Sequence, residues 1–99
     1  MTYNELLAAL GWEIKKRRLN YNKAKVVTFQ NGEALVSYST MVAAKINNKY
    51  YFTTKHDCSQ TTNYHVRTWC GLGVQVRRAM IESGEAILVE KSNSNFWYA

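Results

Sequence analysis

Between residues 25 and 54, four strand-like runs follow one another with turn residues between them. The first, 25–30, carries Val26, Val27 and Phe29. Asn31 and Gly32 follow, the strongest short hairpin signal, because a type I′ turn needs positive φ at both central residues. In the second, 33–39, Leu35 and Ser37 alternate with Val36 and Tyr38. The third covers 41–46, and Asn47 and Asn48 then make a second turn, since Asn tolerates the left-handed region. The fourth, 49–54, is rich in Tyr50, Tyr51 and Phe52. Short turns join only antiparallel neighbours, so an antiparallel meander is predicted. The junction near Ser39 and Thr40 is open between a clean turn and a bulge or bend.

Helical patterns flank the meander. Tyr3, Leu6, Leu7, Leu10 and Ile14 recur at helical spacing. Thr2 is a candidate N-cap, and Glu5 three residues later completes a capping box. Gly11 costs about 1 kcal/mol in a helix, so a break is possible there. The basic run 15–18 is expected in the helix's last turn. A second helix fits 59–70, capped by Ser59 and stopped by Gly71. A third fits 74–83, with Arg77 and Arg78 as an exposed pair, and Gly84 ends it. A short apolar strand, 86–89, a turn at 92–95 and an aromatic anchor or strand at Phe96, Trp97 and Tyr98 complete the chain. The expected architecture is α+β: an N-terminal helix, an antiparallel β-meander, two further helices and C-terminal strand(s), in one domain spanning 1–99.

At 46% hydrophobic and 20% charged residues, the chain is neither disordered nor a coiled coil. No apolar run approaches the roughly 20 residues of a membrane helix. No secretory leader is expected, because the apolar stretch 6–10 is short and the basic residues follow it. Two cysteines, Cys58 and Cys70, are too few for a disulfide framework. Free thiols in a cytoplasmic setting are expected.

Charge is the most directive functional signal. The formal net charge is +6, from 13 basic and seven acidic residues. Lys15, Lys16, Arg17, Arg18, Lys23 and Lys25 crowd into eleven positions with no acid among them. The other seven basic residues balance the seven acids, so the whole excess belongs to this segment. Such clustering is the footprint of nucleic acid or of an acidic partner surface. The competing explanation is a solvated helix end favoured by the macrodipole.

Candidates for chemistry are sparse. His56, Cys58, His65 and Cys70 are zinc-ligand types, but their spacing matches no common finger, so no metal is expected. Cys58 and His56 are neighbours without an evident orienting group. Gly71-Leu72-Gly73 lacks the lysine and length of a phosphate-binding loop. The acids are scattered. Ser59, Thr61, Thr62 and His65 cluster at a helix start, and Thr61 or Thr62 can reach His65 at helical spacing; this reads as a capped helix with a held histidine. Tyr50 and Tyr51 fall on opposite sheet faces, so the main core buries at most one. Surface aromatics beside Lys49 and Lys55 could stack on bases or anchor a protein interface.

Two stretches also carry a resemblance. Ser37-Tyr38-Ser39-Thr40-Met41-Val42-Ala43 resembles a Ser-Tyr-Asn-Thr-Pro-Val-Ala motif. Cys58-Ser59-Gln60-Thr61-Thr62-Asn63-Tyr64-His65 resembles a Tyr-Ser-x-Thr-Thr-x-x-His motif. In this order, with a strand pair between them, they are similar to motifs of a family of small uncharacterised domains of phages and other mobile elements. The likeness spans about residues 34–71. Ser39, Met41 and Cys58 depart from the pattern, so the family's aromatic residue is missing at position 58. The resemblance implies structural motif positions at Tyr38, Thr40, Ser59, Thr61, Thr62 and His65. It also implies a small protein at work in a bacterial host's cytoplasm.

The functional expectation is stoichiometric binding to a host nucleic-acid or nucleoprotein target, not catalysis, with no cofactor. Lys15, Lys16, Arg17, Arg18, Lys23 and Lys25 are the expected contacts. An anti-CRISPR-like inhibitor of host defence is one concrete form. The alternatives are a direct, weakly specific nucleic-acid-binding module and, from another class, a metal-dependent or cysteine enzyme.

Overall fold

The computed structural model of the chain describes residues 1–19 and 23–90. The elements are α1 (Tyr3–Leu10), β1 (Glu13–Leu19), β2 (Ala24–Phe29), β3 (Gly32–Ser37), β4 (Thr40–Ile46), β5 (Lys49–Thr53), α2 (Gln60–Cys70), α3 (Val74–Ser83) and β6 (Ala86–Val89). The strands form one six-stranded sheet in sequential order, β1 to β6. Neighbours are antiparallel through β5, and β6 pairs with β5 in parallel after the α2–α3 crossover. The fold is therefore α+β as expected, with a strand, β1, where the sequence pattern predicts the end of the first helix. The aromatic segment 96–98 and the turn 92–95 lie outside the described residues.

Helices cover both faces of the sheet. On one face, Tyr3, Leu6 and Leu10 of α1 pack on Val27, Phe29, Ala34, Val36, Met41, Ala44, Ile46 and Val89. On the other, Val66 and Trp69 of α2 and Met80 and Ile81 of α3 pack with Ala24, Val26, Leu35, Val42, Ala43, Phe52 and Ala86. Double coverage explains why residues 34–37 and 41–44 are buried without alternation. Tyr50 and Tyr51 do fall on opposite faces. Both are half-buried, each against its own core.

The first helix is shorter than its apolar spacing predicts. Its capping box forms as expected: Glu5 N donates to Thr2 Oγ1 at 3.2 Å and Thr2 N to Glu5 Oε1 at 2.9 Å. Gly11, at φ 81°, then ends it. The β2–β3 turn satisfies the helix's last carbonyls. Asn31 donates from its backbone N to Leu10 O at 3.0 Å and from Nδ2 to Ala9 O at 3.1 Å. Gln30 N donates to Trp12 O at 2.9 Å, which leads the chain into β1. Ile14 is thus 60% exposed at a bulge in β1 and is not a helix-core residue. The basic run 15–18 lies on a strand, not at a helix end, so the macrodipole does not account for it.

The turns hold one further correction and decide the open β3–β4 junction. Gln30 and Asn31 make the hairpin tip, while Gly32 already pairs with Phe29 as the first residue of β3. Gly32 is not among the positive-φ glycines. It is required for close approach: a Cβ there would lie 2.3 Å from Lys45 O and 3.0 Å from Ile46 Cγ1. Because the crowding atom is backbone of β4, Gly32→Ala is expected to destabilise by about 1–3 kcal/mol, read as a lower urea midpoint. A wild-type midpoint would contradict the close approach. The β3–β4 junction is a turn at Tyr38 and Ser39, with the irregularity inside β4, where Val42 and Ala43 both join the α2-side core. Tyr38 leaves the strand at φ 58°. Asn47 and Asn48 make the β4–β5 turn with φ 51° and 65°, as their type predicts.

Candidate functional site

The basic residues occupy the open edge of the sheet. β1 has β2 on one side and no described strand on the other, and residues 13–18 are all exposed. The register divides the cations between two faces. Lys16 stands opposite Val27 and Arg18 opposite Lys25, on the α1 side; Lys15 stands opposite Thr28 and Arg17 opposite Val26, on the α2 side. Lys25 is exposed, and Lys23 is exposed just before β2. Two features show how little this charge is neutralised locally. Glu13 reaches Lys16 at 3.8 Å, an exposed pair of small energetic weight. Arg18 directly faces Lys25, and like charges opposite each other on a ladder destabilise it.

A second group joins the two sequence motifs. Ser37, the last residue of β3, places Oγ 2.8 Å from His65 Nδ1 and 3.4 Å from Thr62 Oγ1, both on α2. Ser59 caps α2: its Oγ accepts from Thr62 N at 3.1 Å and donates to Thr62 Oγ1 at 3.1 Å. The expected ring contact with Thr61 or Thr62 is therefore replaced. Ser37 is the histidine's partner and links it to Thr62, while Thr61 is exposed. Thr40 pairs with Ser37 across the turn. His65 Nε2 is buried and has no hydrogen-bond partner among the described residues. A proton on Nδ1, donated to Ser37 Oγ, leaves Nε2 a bare acceptor, which avoids a buried donor without an acceptor. The rings of Tyr38 and Tyr64 lie 6.1 and 6.3 Å from the imidazole and are themselves partly exposed.

The third group centres on Arg77, which is 0% exposed and not the surface residue its sequence suggests. Its Nε donates to His56 Nδ1 at 3.1 Å and its Nη1 to Leu72 O at 2.7 Å, while Nη2 donates to Asn63 Oδ1. The guanidinium thus ties the β5–α2 loop, α2 and the α2–α3 turn to α3. Arg78 remains exposed and pairs with Asp57 at 2.7 Å, which holds that carboxyl below its ordinary range.

These contacts separate the candidate metal ligands. His56 is engaged by Arg77 and His65 by Ser37, Cys58 is exposed, and Cys70 Sγ lies 3.8 Å from Leu72 O. Among the described residues, no three His, Cys, Asp or Glu side chains lie together. Burial pushes the Cys70 thiol up, away from the thiolate. A shallow depression of about 350 Å³, lined by Thr28, Gly32, Glu33, Lys45, Asn47 and Asn48, holds one carboxylate, and Trp69 Nε1 donates to it at 3.0 Å.

Burial lowers the pKa of both His56 and His65, with Arg77 and Arg78 adding to the effect at His56 and Asp57 opposing it. The unfolded chain then takes up protons at a higher pH than the folded one. The stability held by neutral histidines is complete above about pH 6.5 and is lost as pH falls below that value. Two such groups give a slope of at most about 2.7 kcal/mol per pH unit. Urea midpoints at pH 7.5 and 5.5 check this; equal midpoints would contradict it.

Sequence reasoning missed Ser37 and Arg77 as anchoring residues. Ser37 lay inside a noted motif without a partner, and one arginine of an adjacent pair carries no mark of burial. In the comparisons, no curated protein and no solved structure is similar to the chain. One family model, described as a family of unknown function (DUF8033), matches residues 12–86. That span begins just before the basic edge strand, contains both motifs and ends in β6. It covers well over half of the 99 residues, and the chain belongs to the DUF8033 family.

Proposed function

We propose that the protein acts by stoichiometric binding of a nucleic-acid or nucleoprotein target along the β1 edge, not by catalysis. The observation that carries this reading is the exposure of Lys15, Lys16, Arg17 and Arg18 on an open edge strand, with Arg18 held directly across from Lys25. A like-charged pair on a ladder is unfavourable in the free protein, and an anionic ligand relieves it. Of the groups that could do chemistry, the two histidines are engaged in structural contacts, and Cys58 is exposed with no described base or acid cluster around it. Ser37 and His65 form a hydroxyl–imidazole pair, but both are sealed in the protein, at 2% and 1% exposure, so no substrate reaches them. In the concrete form suggested by the motif resemblance, the protein is a phage-type accessory factor of the bacterial cytoplasm. It would inhibit a nucleic-acid-guided defence complex in the anti-CRISPR manner.

The test is direct titration of the purified protein with labelled duplex and single-stranded DNA at low salt. Binding that weakens steeply as salt rises is expected, because each neutralised phosphate releases counterion. Absence of binding to either form at low salt would sink direct nucleic-acid contact. A protein surface of the target complex would then be the remaining partner.

A further inference from the structure

The exposed aromatic residues make the basic edge more specific than a generic anion site. Trp12 is 65% exposed at the entrance to β1, beside the 60% exposed Ile14. Tyr38 is 54% exposed at the other end of the sheet, where its backbone N donates to Lys23 O at 2.7 Å. Trp12 is tied to Gln30 just after β2 and Tyr38 to Lys23 just before it. Along the strand axis the two aromatics therefore lie roughly 20 Å apart, with the cations between them on that axis and Tyr38 set two strands in from β1. Packing accounts for neither ring in full, since Tyr38 remains 54% exposed although its ring lies 6.1 Å from that of His65. Trp12 leaves most of a large apolar ring in water. Tyr38 holds a left-handed backbone conformation that Gly or Asn adopts more cheaply.

Resting on the reading of the β1 edge as an anion-binding surface, we propose that its ligand is single-stranded nucleic acid. Phosphates would lie along Lys15, Lys16, Arg17 and Arg18, and bases would stack on Trp12 and Tyr38. Cations that alternate between two faces flank the rim of the sheet. A thin strand running along that rim meets both rows, whereas a rigid duplex laid on one face meets one. A duplex also hides its base faces, so it gains nothing from an indole. Stacking beside a positive track is how single strands are held without strong sequence preference. The span fits the short end of the roughly 4–16 nucleotides that such sites cover. A second copy of the chain is disfavoured at this edge, because it would set one basic run against another.

The experiment compares wild type, Trp12→Ala, Tyr38→Asn and a variant with Lys15, Lys16, Arg17 and Arg18 changed to Gln. The probes are a fluorescein-labelled dT12, a 12-base-pair duplex and poly-glutamate, at low salt. Wild type is expected to prefer dT12. Trp12→Ala should weaken dT12 binding about 5- to 100-fold, the range for loss of a stacked base, and leave duplex binding unchanged. Tyr38→Asn should weaken dT12 binding while folding at least as stably as wild type. Equal affinity of wild type and both aromatic variants for dT12 would overturn the single-strand proposal, as would preference for the duplex. If the Gln variant still loses binding in that case, the anion-binding reading of the edge survives. Absence of binding of all three probes by wild type would overturn both. Binding of poly-glutamate with no binding of dT12 would identify a protein partner and overturn the single-strand proposal.

Discussion

Arg77→Ala is expected to remove about 3–5 kcal/mol of stability, because it leaves three hydrogen-bond acceptors unpaired, at about 1–3 kcal/mol for a buried one, and opens a cavity. For a domain of this size that corresponds to a melting temperature lower by roughly 15–30 °C. Marginal stability is typically about 5–15 kcal/mol, so the variant is expected to be partly unfolded when warm. The mechanism lies in what the guanidinium satisfies. His56 Nδ1, Asn63 Oδ1 and Leu72 O all accept from it, and they come from three separate pieces of chain. Deletion leaves the buried His56 Nδ1 and two half-buried acceptors unpaired, with a cavity the size of an arginine side chain. Arg77→Lys keeps the charge but not the planar fork, so it is expected to rescue only a minor part. A melting temperature within a few degrees of wild type for Arg77→Ala would contradict the assignment of Arg77 as the tie between α2 and α3.

The second large effect is on binding. Changing Lys15, Lys16, Arg17 and Arg18 together to Gln should leave the fold almost untouched, because exposed substitutions usually shift stability by under about 0.5 kcal/mol each. Here the shift is expected to be neutral or favourable, since the Arg18–Lys25 repulsion disappears. Nucleic-acid affinity at low salt should fall by at least a hundredfold. A different role for the same residues predicts a different outcome. Charged side chains on an open strand also block edge-to-edge pairing between copies. If that is their whole role, the variant self-associates in sedimentation or light scattering, and wild type shows no nucleic-acid affinity to lose.

The two faces of this contrast were unequally legible in the sequence. The α2, α3 and β6 boundaries follow from caps and breakers with local physical meaning: the Ser59 hydroxyl at the start of α2, and Gly71 and Gly84 in the left-handed region at two helix ends. β1 was invisible for a physical reason. A strand exposed on both faces has no apolar alternation to show, and the pattern of Tyr3, Leu6, Leu7 and Leu10 runs on in register to Ile14. Only Gly11 hinted at the stop, and the partner that completes it, Asn31, lies 22 residues away from Ala9. The basic cluster itself was legible from charge alone. Its location on a sheet edge was not, and that location replaces a dipole-favoured helix end with an exposed strand on which Glu13 pairs weakly with Lys16. Likewise the hydroxyl cluster before His65 was visible, while its partner Ser37 is 28 positions away and emerges only when β3 and α2 pack.

The central claim is that four cations of β1 neutralise phosphates, and counterion release measures that number most directly. Wild type and the Gln variant are titrated with single-stranded DNA across a fourfold salt range. Four contacts on a single strand predict a log–log slope of about −3 for wild type and a slope near zero for the variant. A wild-type slope near zero, or the same steep slope in both proteins, would contradict the claim.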